Sequence, residues 1–320
     1  MRTPLSLLFA AVIGLTTATG CTLQPQVASC VDNVDTRLLR NQLETLTAIG
    51  PRPLRDKAAS ERTVAHLQTI LESYGYEVSR EEFAVGGYTG INLFATLQGG
   101  DRADEFIELS AHYDTVPGSP GADDNSSGVV GVLEAARVLA DVPLRRSIRF
   151  CLFGAEEIGL LGSRHHVEQL EKLPGKTLGL LNFEMIGYTS TEPESQATPI
   201  RIPLLVNPPR TGDFICVVGN VSSGGVGNRF ERAARRYVPE LKIFSLNRIG
   251  GFLGDAARSD HFPYWNAGRR AVMITDTANF RNPHYHRESD TIDEIDFDFL
   301  TNVVPAGVAT LVEWAEPQSE

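Results

Sequence analysis

Residues 110–125, Ser-Ala-His-Tyr-Asp-Thr-Val-Pro-Gly-Ser-Pro-Gly-Ala-Asp-Asp-Asn, gather one imidazole and three carboxylates in a short, constrained stretch. An apolar strand end would present His112 and Asp114, and the Pro/Gly-rich loop would deliver Asp123 and Asp124 to the start of a helix. Imidazole and carboxylate donors on a stiff loop suit a divalent metal of borderline softness such as zinc. More donors follow. Glu156 and Glu157 come just after the most apolar run of the chain, Ile148–Phe153. Carboxylates there are costly unless a metal or hydrogen-bond donors meet them, and divergent neighbours can divide metal neutralisation from proton handling. Glu184 closes a further apolar run, and His286 follows Val272–Thr275.

The elements that must position these groups alternate along the chain, which predicts an α/β architecture. Leu39, Leu43 and Leu46 have helical spacing, and Ser60 reads as the N-cap of a second helix carrying Val64, Leu67 and Leu71, with Gly75 as its stop. Tyr76–Val85 and Ile91–Leu97 read as strands joined through Gly86-Gly87. Phe106–Ala111 reads as a strand, and Val129, Val132, Leu133 and Ala136 as one helix face. Ile148–Phe153 reads as a strand buried on both faces, and Thr177–Leu181 as another buried strand. Further strands are expected at Phe214–Val218, Leu241–Ser245 and Val272–Thr275, with helices near 226–237, 259–267 and 296–315. No repeat or internal linker interrupts this, so 33–320 reads as one domain. The Pro/Ser/Thr-rich segment 188–212 reads as a surface excursion, and with 245–258 it would wall a specificity pocket. His112, Glu156/Glu157, Glu184 and His286 all sit where apolar strands stop. In open α/β sheets ligands bind outside the carboxyl ends of the strands, so four strand ends point to one site. His66, His165, His166 and His284 read as ordinary structural or surface residues.

At 320 residues the chain can bury a large core, and its net charge of −11 argues against a nucleic-acid or anionic-membrane surface. Residues 1–21 read as an export signal: Arg2, an apolar Leu5–Leu15, then Ala18-Thr19-Gly20-Cys21. Gly20-Cys21 resembles a bacterial lipobox, which would lipidate Cys21 and attach the protein to a membrane; ordinary secretory cleavage is the alternative. Either way the expectation is an exported protein, periplasmic or extracellular, with residues 22–32 as a tether. Cys30, Cys151 and Cys216 lack CxxC spacing and form no zinc-finger pattern. An oxidising compartment would allow one disulfide, while Cys151, inside an apolar run, reads as buried and unpaired.

Together, Ala-His-Tyr-Asp-Thr (111–115), Gly-Ala-Asp-Asp-Asn-Ser-Ser-Gly (121–128), Phe-Gly-Ala-Glu-Glu-Ile-Gly-Leu-Leu-Gly-Ser (153–163), Asn-Phe-Glu-Met-Ile-Gly (182–187), Ser-Asp-His (259–261) and Tyr-His-Arg-Glu-Ser-Asp-Thr (285–291) resemble the bacterial secreted double-zinc aminopeptidases, the leucyl aminopeptidase-like zinc exopeptidases. The match is collinear over about 105–300. It implies a single-domain, mixed but mostly parallel twisted sheet with helices on both faces, and two zinc ions per chain. By the resemblance His112 and Glu184 would bind one zinc, Glu157 and His286 the other, and Asp124 would bridge them. Asp114 would accept the His112 ring N–H, and Asp124–Asn125 would be a non-proline cis peptide. Glu156 would be the general base, Tyr285 a donor to the developing oxyanion, and Ser259 a hydrogen-bond partner of a metal carboxylate. Asp290 and Thr291 would brace the His286 loop. Two positions depart from the pattern. Glu184 stands where the best-studied members have Asp, which bears on reception of the substrate's ammonium more than on metal binding. Gly268-Arg269-Arg270 is less apolar than usual and reads as a solvated or substrate-facing turn.

The function this implies is removal of N-terminal residues from peptides with a free amine. Glutaminyl cyclisation or release of an acidic C-terminal residue would keep the fold and change the chemistry. The cyclases bind one zinc and lack the first histidine ligand, whereas His112 is present; the carboxypeptidases add regions for which this chain has no room. A non-catalytic metal-binding lipoprotein would need no base, and Glu156 is retained.

Overall fold

An eight-stranded mixed sheet in the order β1-β2-β4-β3-β5-β8-β6-β7 runs through the structure, a computed structural model that describes residues 23–198 and 207–318. The strands are β1 (Val78–Val85), β2 (Tyr88–Leu97), β3 (Arg102–His112), β4 (Arg146–Phe153), β5 (Lys176–Glu184), β6 (Ile215–Gly219), β7 (Ile243–Leu246) and β8 (Ala271–Thr275). β4, β3, β5 and β8 lie side by side and parallel, while β1, β2 and β6 add antiparallel pairings. Every residue of β4 is buried, Arg146 and Arg149 included, as expected of a strand covered on both faces. The expected hairpin forms, with Val85 opposite Tyr88 across Gly86-Gly87. The export signal and the lipidation expected at Cys21 lie outside the described residues.

The helices follow the apolar stripes. α2 (Thr36–Thr47) buries Leu39, Leu43 and Leu46, and α4 (Gly128–Leu139) is buried along nearly its whole length. α5 (Leu161–Gln169), α6 (Gly224–Tyr237), α7 (His261–Asn266) and α8 (Phe297–Ala315) complete the layers. Two expectations need correction. α3 (Lys57–Ser73) starts before Ser60, because the Asp56 side chain accepts the Ala59 N–H and caps the helix, leaving Ser60 buried inside it. Residues 22–32 are not simply a tether. Pro25–Asp32 forms α1, which packs on α8 and buries Val27 and Cys30. Only two residues of this short helix are buried, and Pro25 at its first turn was the available signal. Cys30, Cys151 and Cys216 are all buried and free, so no disulfide joins them. No described helix is long and apolar enough to cross a membrane.

A buried polar hub fastens the two short helices that flank the strand ends. Glu108 of β3 is fully buried and accepts from Arg149 of β4 at 2.8 Å and Tyr264 of α7 at 2.8 Å, with the His166 ring of α5 at 3.3 Å. His166, expected to be ordinary, is thus a structural ligand between Glu108 and Glu81. Burial alone would raise Glu108, but His166 and Arg149 outweigh it and hold its carboxyl down at about 2. The stability this contributes is present above the unfolded value of 4.5 and lost as pH falls toward 2. Glu108→Ala should therefore cost about 3–5 kcal/mol, because it strands a buried guanidinium and imidazole. Urea unfolding followed between pH 3 and pH 7 checks this: the variant should have a lower midpoint at neutral pH and a flatter loss of stability toward acid.

Candidate metal centre

The four parallel strands end on one side of the sheet, and their ends bring the expected residues together. His112 is the last residue of β3, Glu184 the last of β5, and Glu156 and Glu157 follow β4 by a short turn. Asp124 comes from the turn Ala122–Ser127 that precedes α4, and its peptide to Asn125 is cis. That turn is reached through Gly121 at φ +65°, where a Cβ would collide with the Thr115 methyl and the Asp124 carbonyl. Ala155, Met185 and His286 all adopt positive φ next to or at the site. Each costs on the order of 1 kcal/mol, a strain typical of functional backbone.

Asp124 lies at the centre. One of its oxygens is 3.4 Å from His112 Nε2, and the other is 3.1 Å from His286 Nε2. Glu184 Oε2 stands 3.5 Å from His112 Nε2, and Glu157 Oε2 stands 3.1 Å from His286 Nε2. Donor atoms of His112, Glu156 and Glu184 lie within 4.8 Å of one another, as do those of His112, Asp124 and Glu157. His112 Nε2 and Glu157 Oε1 are buried without a hydrogen-bond partner. A buried ring nitrogen with no partner, aimed among carboxylate oxygens, is what a divalent cation fits and a neutral filler does not. Asp123 does not belong to this set: it accepts from Gly187 N, Asn282 and Ser127 and braces the loop.

The supporting contacts fix which atoms face the centre. The His112 Nδ1–H donates to the Asp114 backbone carbonyl at 3.1 Å, leaving Nε2 to face inward. This corrects one expectation, since the Asp114 carboxylate lies 3.7 Å away from the ring and instead accepts the Glu156 and Glu157 backbone N–H groups. Ser259 donates to Glu184 Oε2 at 2.5 Å, as expected, and in turn accepts from Asn182. Asn125 donates to the Phe183 carbonyl and accepts the Met185 N–H, tying the Asp124 turn to the end of β5. Asp290 accepts the Asp123 and Asp124 N–H groups, so it braces the Asp124 turn rather than the His286 loop alone. Gly268-Arg269-Arg270 precedes β8, at the opposite end from the site, and is a solvated turn and not a substrate-facing one.

The carboxylates dominate the electrostatics. Burial, opposed by His112 and reinforced by Glu184, pushes Glu156 well above the usual carboxyl range, and burial together with Asp124 pushes Glu157 up to about 7. Burial would raise Asp124 too, but its contacts with His112 and His286 hold it down at about 2. Burial alone would lower both histidines. The carboxylates outweigh it, holding His112 well above the usual imidazole range and His286 up at about 10. Protons and a metal ion compete for these same atoms.

Three residues of the site escaped the sequence reading. Arg52 is fully buried and donates to the carbonyls of Tyr113 (2.9 Å), Pro120 (2.7 Å) and Gly121 (3.3 Å) and to Ser126 (2.7 Å), clamping both ends of the 113–126 loop. Nothing in Gly50-Pro51-Arg52-Pro53 marked it out, since Asp56 four residues on offers Arg52 an ordinary local partner. Asp260, between the expected Ser259 and the structural His261, is fully buried, and burial, opposed by His112, pushes its carboxyl up to about 7. Arg258 donates to the Tyr285 hydroxyl at 3.1 Å, while the Tyr285 ring stacks on His286 at 3.7 Å between centroids.

Comparison with known proteins agrees with this geometry. The uncharacterized protein YfbL of Escherichia coli (strain K12) is 32% identical over 277 residues, covering 82% of this chain and 83% of YfbL. Aminopeptidase YwaD of Bacillus subtilis (strain 168) is 36% identical over 201 residues, 60% of this chain but only 37% of YwaD, so the match spans little more than a third of that relative. The fold is that of BSAP, a zinc aminopeptidase from Bacillus subtilis, with a TM-score of 0.71 at 19% identity over 88% of this chain and 96% of that one. The model of peptidase family M28 matches residues 92–310, which contain every expected donor, and the chain belongs to that family.

Proposed function

We propose that this M28 peptidase is an aminopeptidase with a dinuclear zinc centre, in which His112 and Glu184 hold one ion, Glu157 and His286 the other, and Asp124 bridges them. One observation carries the reading: the two oxygens of a single carboxylate, Asp124, face two different imidazoles. Zinc held by these residues supplies a Lewis acid for the scissile carbonyl and acidifies a water. The protein does the rest. Glu156 sits among the donor atoms of His112 and Glu184 with its backbone N–H fixed by Asp114. It takes the proton of the attacking water and passes it to the leaving amine. Burial raises the Tyr285 phenol, which stays protonated, and because Arg258 donates to its oxygen, the phenolic hydrogen is free for the developing oxyanion. Glu184, steadied by Ser259, is placed to receive the substrate's ammonium. The substrates are peptides with a free N-terminus.

Aminoacyl anilides test this directly. Zinc-loaded protein should cleave those with a free α-amine and leave the acetylated forms intact; cleavage of both would contradict an aminopeptidase. Glu156→Gln should keep its zinc yet lose about a hundred- to ten-thousandfold in kcat. A variant with near wild-type turnover would remove Glu156 as the base.

We further propose that the chain is exported by residues 1–21 and works in the periplasm or outside the cell, attached to the membrane through a lipidated Cys21. The sequence Ala18-Thr19-Gly20-Cys21 supports this. The mature protein should begin at Cys21 with the mass of a diacylated or triacylated cysteine; an unmodified Cys21 or a later start would rule out the anchor.

A further inference from the structure

Helix α6 turns one side to the core, burying Val226, Phe230, Ala233 and Ala234, and the other to solvent. On the outer side Arg229, Arg232, Arg235 and Arg236 recur at helical spacing. Arg232 and Arg235 are exposed, and Arg229 and Arg236 are half-buried along the border. Their charge is only partly answered. Glu231 lies 3.4 Å from Arg235 and Glu313 lies 3.3 Å from Arg236, Arg229 stacks over the Trp314 ring, and Arg232 pairs with no described carboxylate. Residues 221–252 hold six Arg or Lys against two Glu, in a chain whose net charge is −11. That total argues against an anionic-membrane surface, but it is a sum over the chain, and this face departs from it.

Both ends of α6 border exposed apolar side chains. Phe252 is 79% exposed and Val221 65%, the two most exposed large apolar residues described. Gly251 abuts Asn220, so the two lie on adjoining loops beside the first turn of α6. Arg248 packs against Gly224 in that turn, and the Ala271 N–H, next to the exposed Arg270, donates to Ser223. At the other end the Gln24 N–H donates to the Tyr237 hydroxyl at 3.2 Å, which puts the exposed Leu23 beside the last turn. Cys21 is two residues from Leu23, about 7 Å of chain at most.

We infer that the outer face of α6 lies on a bilayer containing anionic phospholipid. The arginines meet its phosphodiester headgroups, which a guanidinium binds through paired N–H donors. Leu23, Val221 and Phe252 enter the boundary between headgroups and acyl chains. Since Cys21 carries the lipid in the anchor reading, on which this placement rests, the acyl chains start beside one end of α6. The lipid then holds the chain at the membrane, and the arginine face sets its orientation there. Arg270 and the end of β6 lie at the strand ends opposite the metal centre, so this orientation leaves the centre open to peptides in solution.

Sedimentation with vesicles tests the face on the processed chain, residues 22–320, made without signal or lipid; every described element lies within it. Binding to vesicles of mixed phosphatidylglycerol and phosphatidylcholine should exceed binding to phosphatidylcholine alone by about tenfold or more, and should weaken as salt rises. Arg232→Gln with Arg235→Gln should lower it by about tenfold. Lys57→Gln with Arg62→Gln, the same loss of charge on α3, should leave it unchanged. Phe252→Ser should weaken binding without altering its salt dependence. Equal binding to both vesicles, an equal effect of the α3 pair, or displacement by inorganic phosphate at fixed ionic strength would overturn the bilayer face. Phosphatidylglycerol binding together with an unmodified Cys21 in the exported protein would overturn the anchor and leave the face standing. A lipidated Cys21 without phosphatidylglycerol binding would do the reverse.

Discussion

Asp114, Asp124, Glu156, Glu157 and Glu184 meet at the strand ends around the His112 and His286 imidazoles, with the buried Arg52 guanidinium behind, and this excess of negative charge is what the rest of the structure serves. Asp123, Asp260, Asp276 and Asp290 lie buried just behind. Like charges this close cannot all ionise in a site of low polarity, so some take up protons and their pKa values climb. Divalent cations resolve the conflict at once, because each brings the largest positive charge in the site and binds the same atoms. Zinc is thus part of the electrostatic logic by which an M28 peptidase tolerates so many carboxylates.

The fold concentrates the charges by a simple device. Four parallel strands end together, and each end delivers one or two donors, so no single loop has to supply the site. What the loops contribute is then fixed by polar clamps on backbone rather than by apolar packing. Arg52 grips the Asp124 loop from one side and Asp290 from the other. Asn125 staples that turn to β5, and Asp114 staples the Glu156–Glu157 turn to β3. Glu108, deeper in the sheet, holds the helices that begin just after Glu157 and Ser259. Donors and clamps alternate, so a ligand's position is set by bonds to backbone atoms that cannot rotate away.

How legible this was depended on where the information lies. The strands and their ends were readable because β4 and β5 each carry an apolar stretch, Phe150–Phe153 and Leu178–Leu181, and the carboxylates that come soon after break that pattern. The donors and their grouping came from the same breaks and from the resemblance, and the geometry brings all five together. Clamps were harder. Arg52 acts on atoms more than sixty residues away along the chain, mostly backbone carbonyls, and a side chain that bonds to carbonyls leaves no complementary residue to find. Asp114 illustrates the finer limit: its neighbourhood to His112 was legible, but whether its carbonyl or its carboxylate takes the ring N–H depends on the turn at Glu156. The helix at Pro25–Asp32 was missed because its two buried residues make sense only against α8, at the far end of the chain.

The central claim is that one bridging carboxylate holds together a two-ion centre. Metal content per chain, measured by mass spectrometry after zinc loading and dialysis, tests it most directly in wild type and Asp124→Ala. The account predicts two zinc ions in the wild type and loss of both in the variant, since each ligand pair would be left without its shared member. One ion in the wild type, or two retained without Asp124, would contradict it.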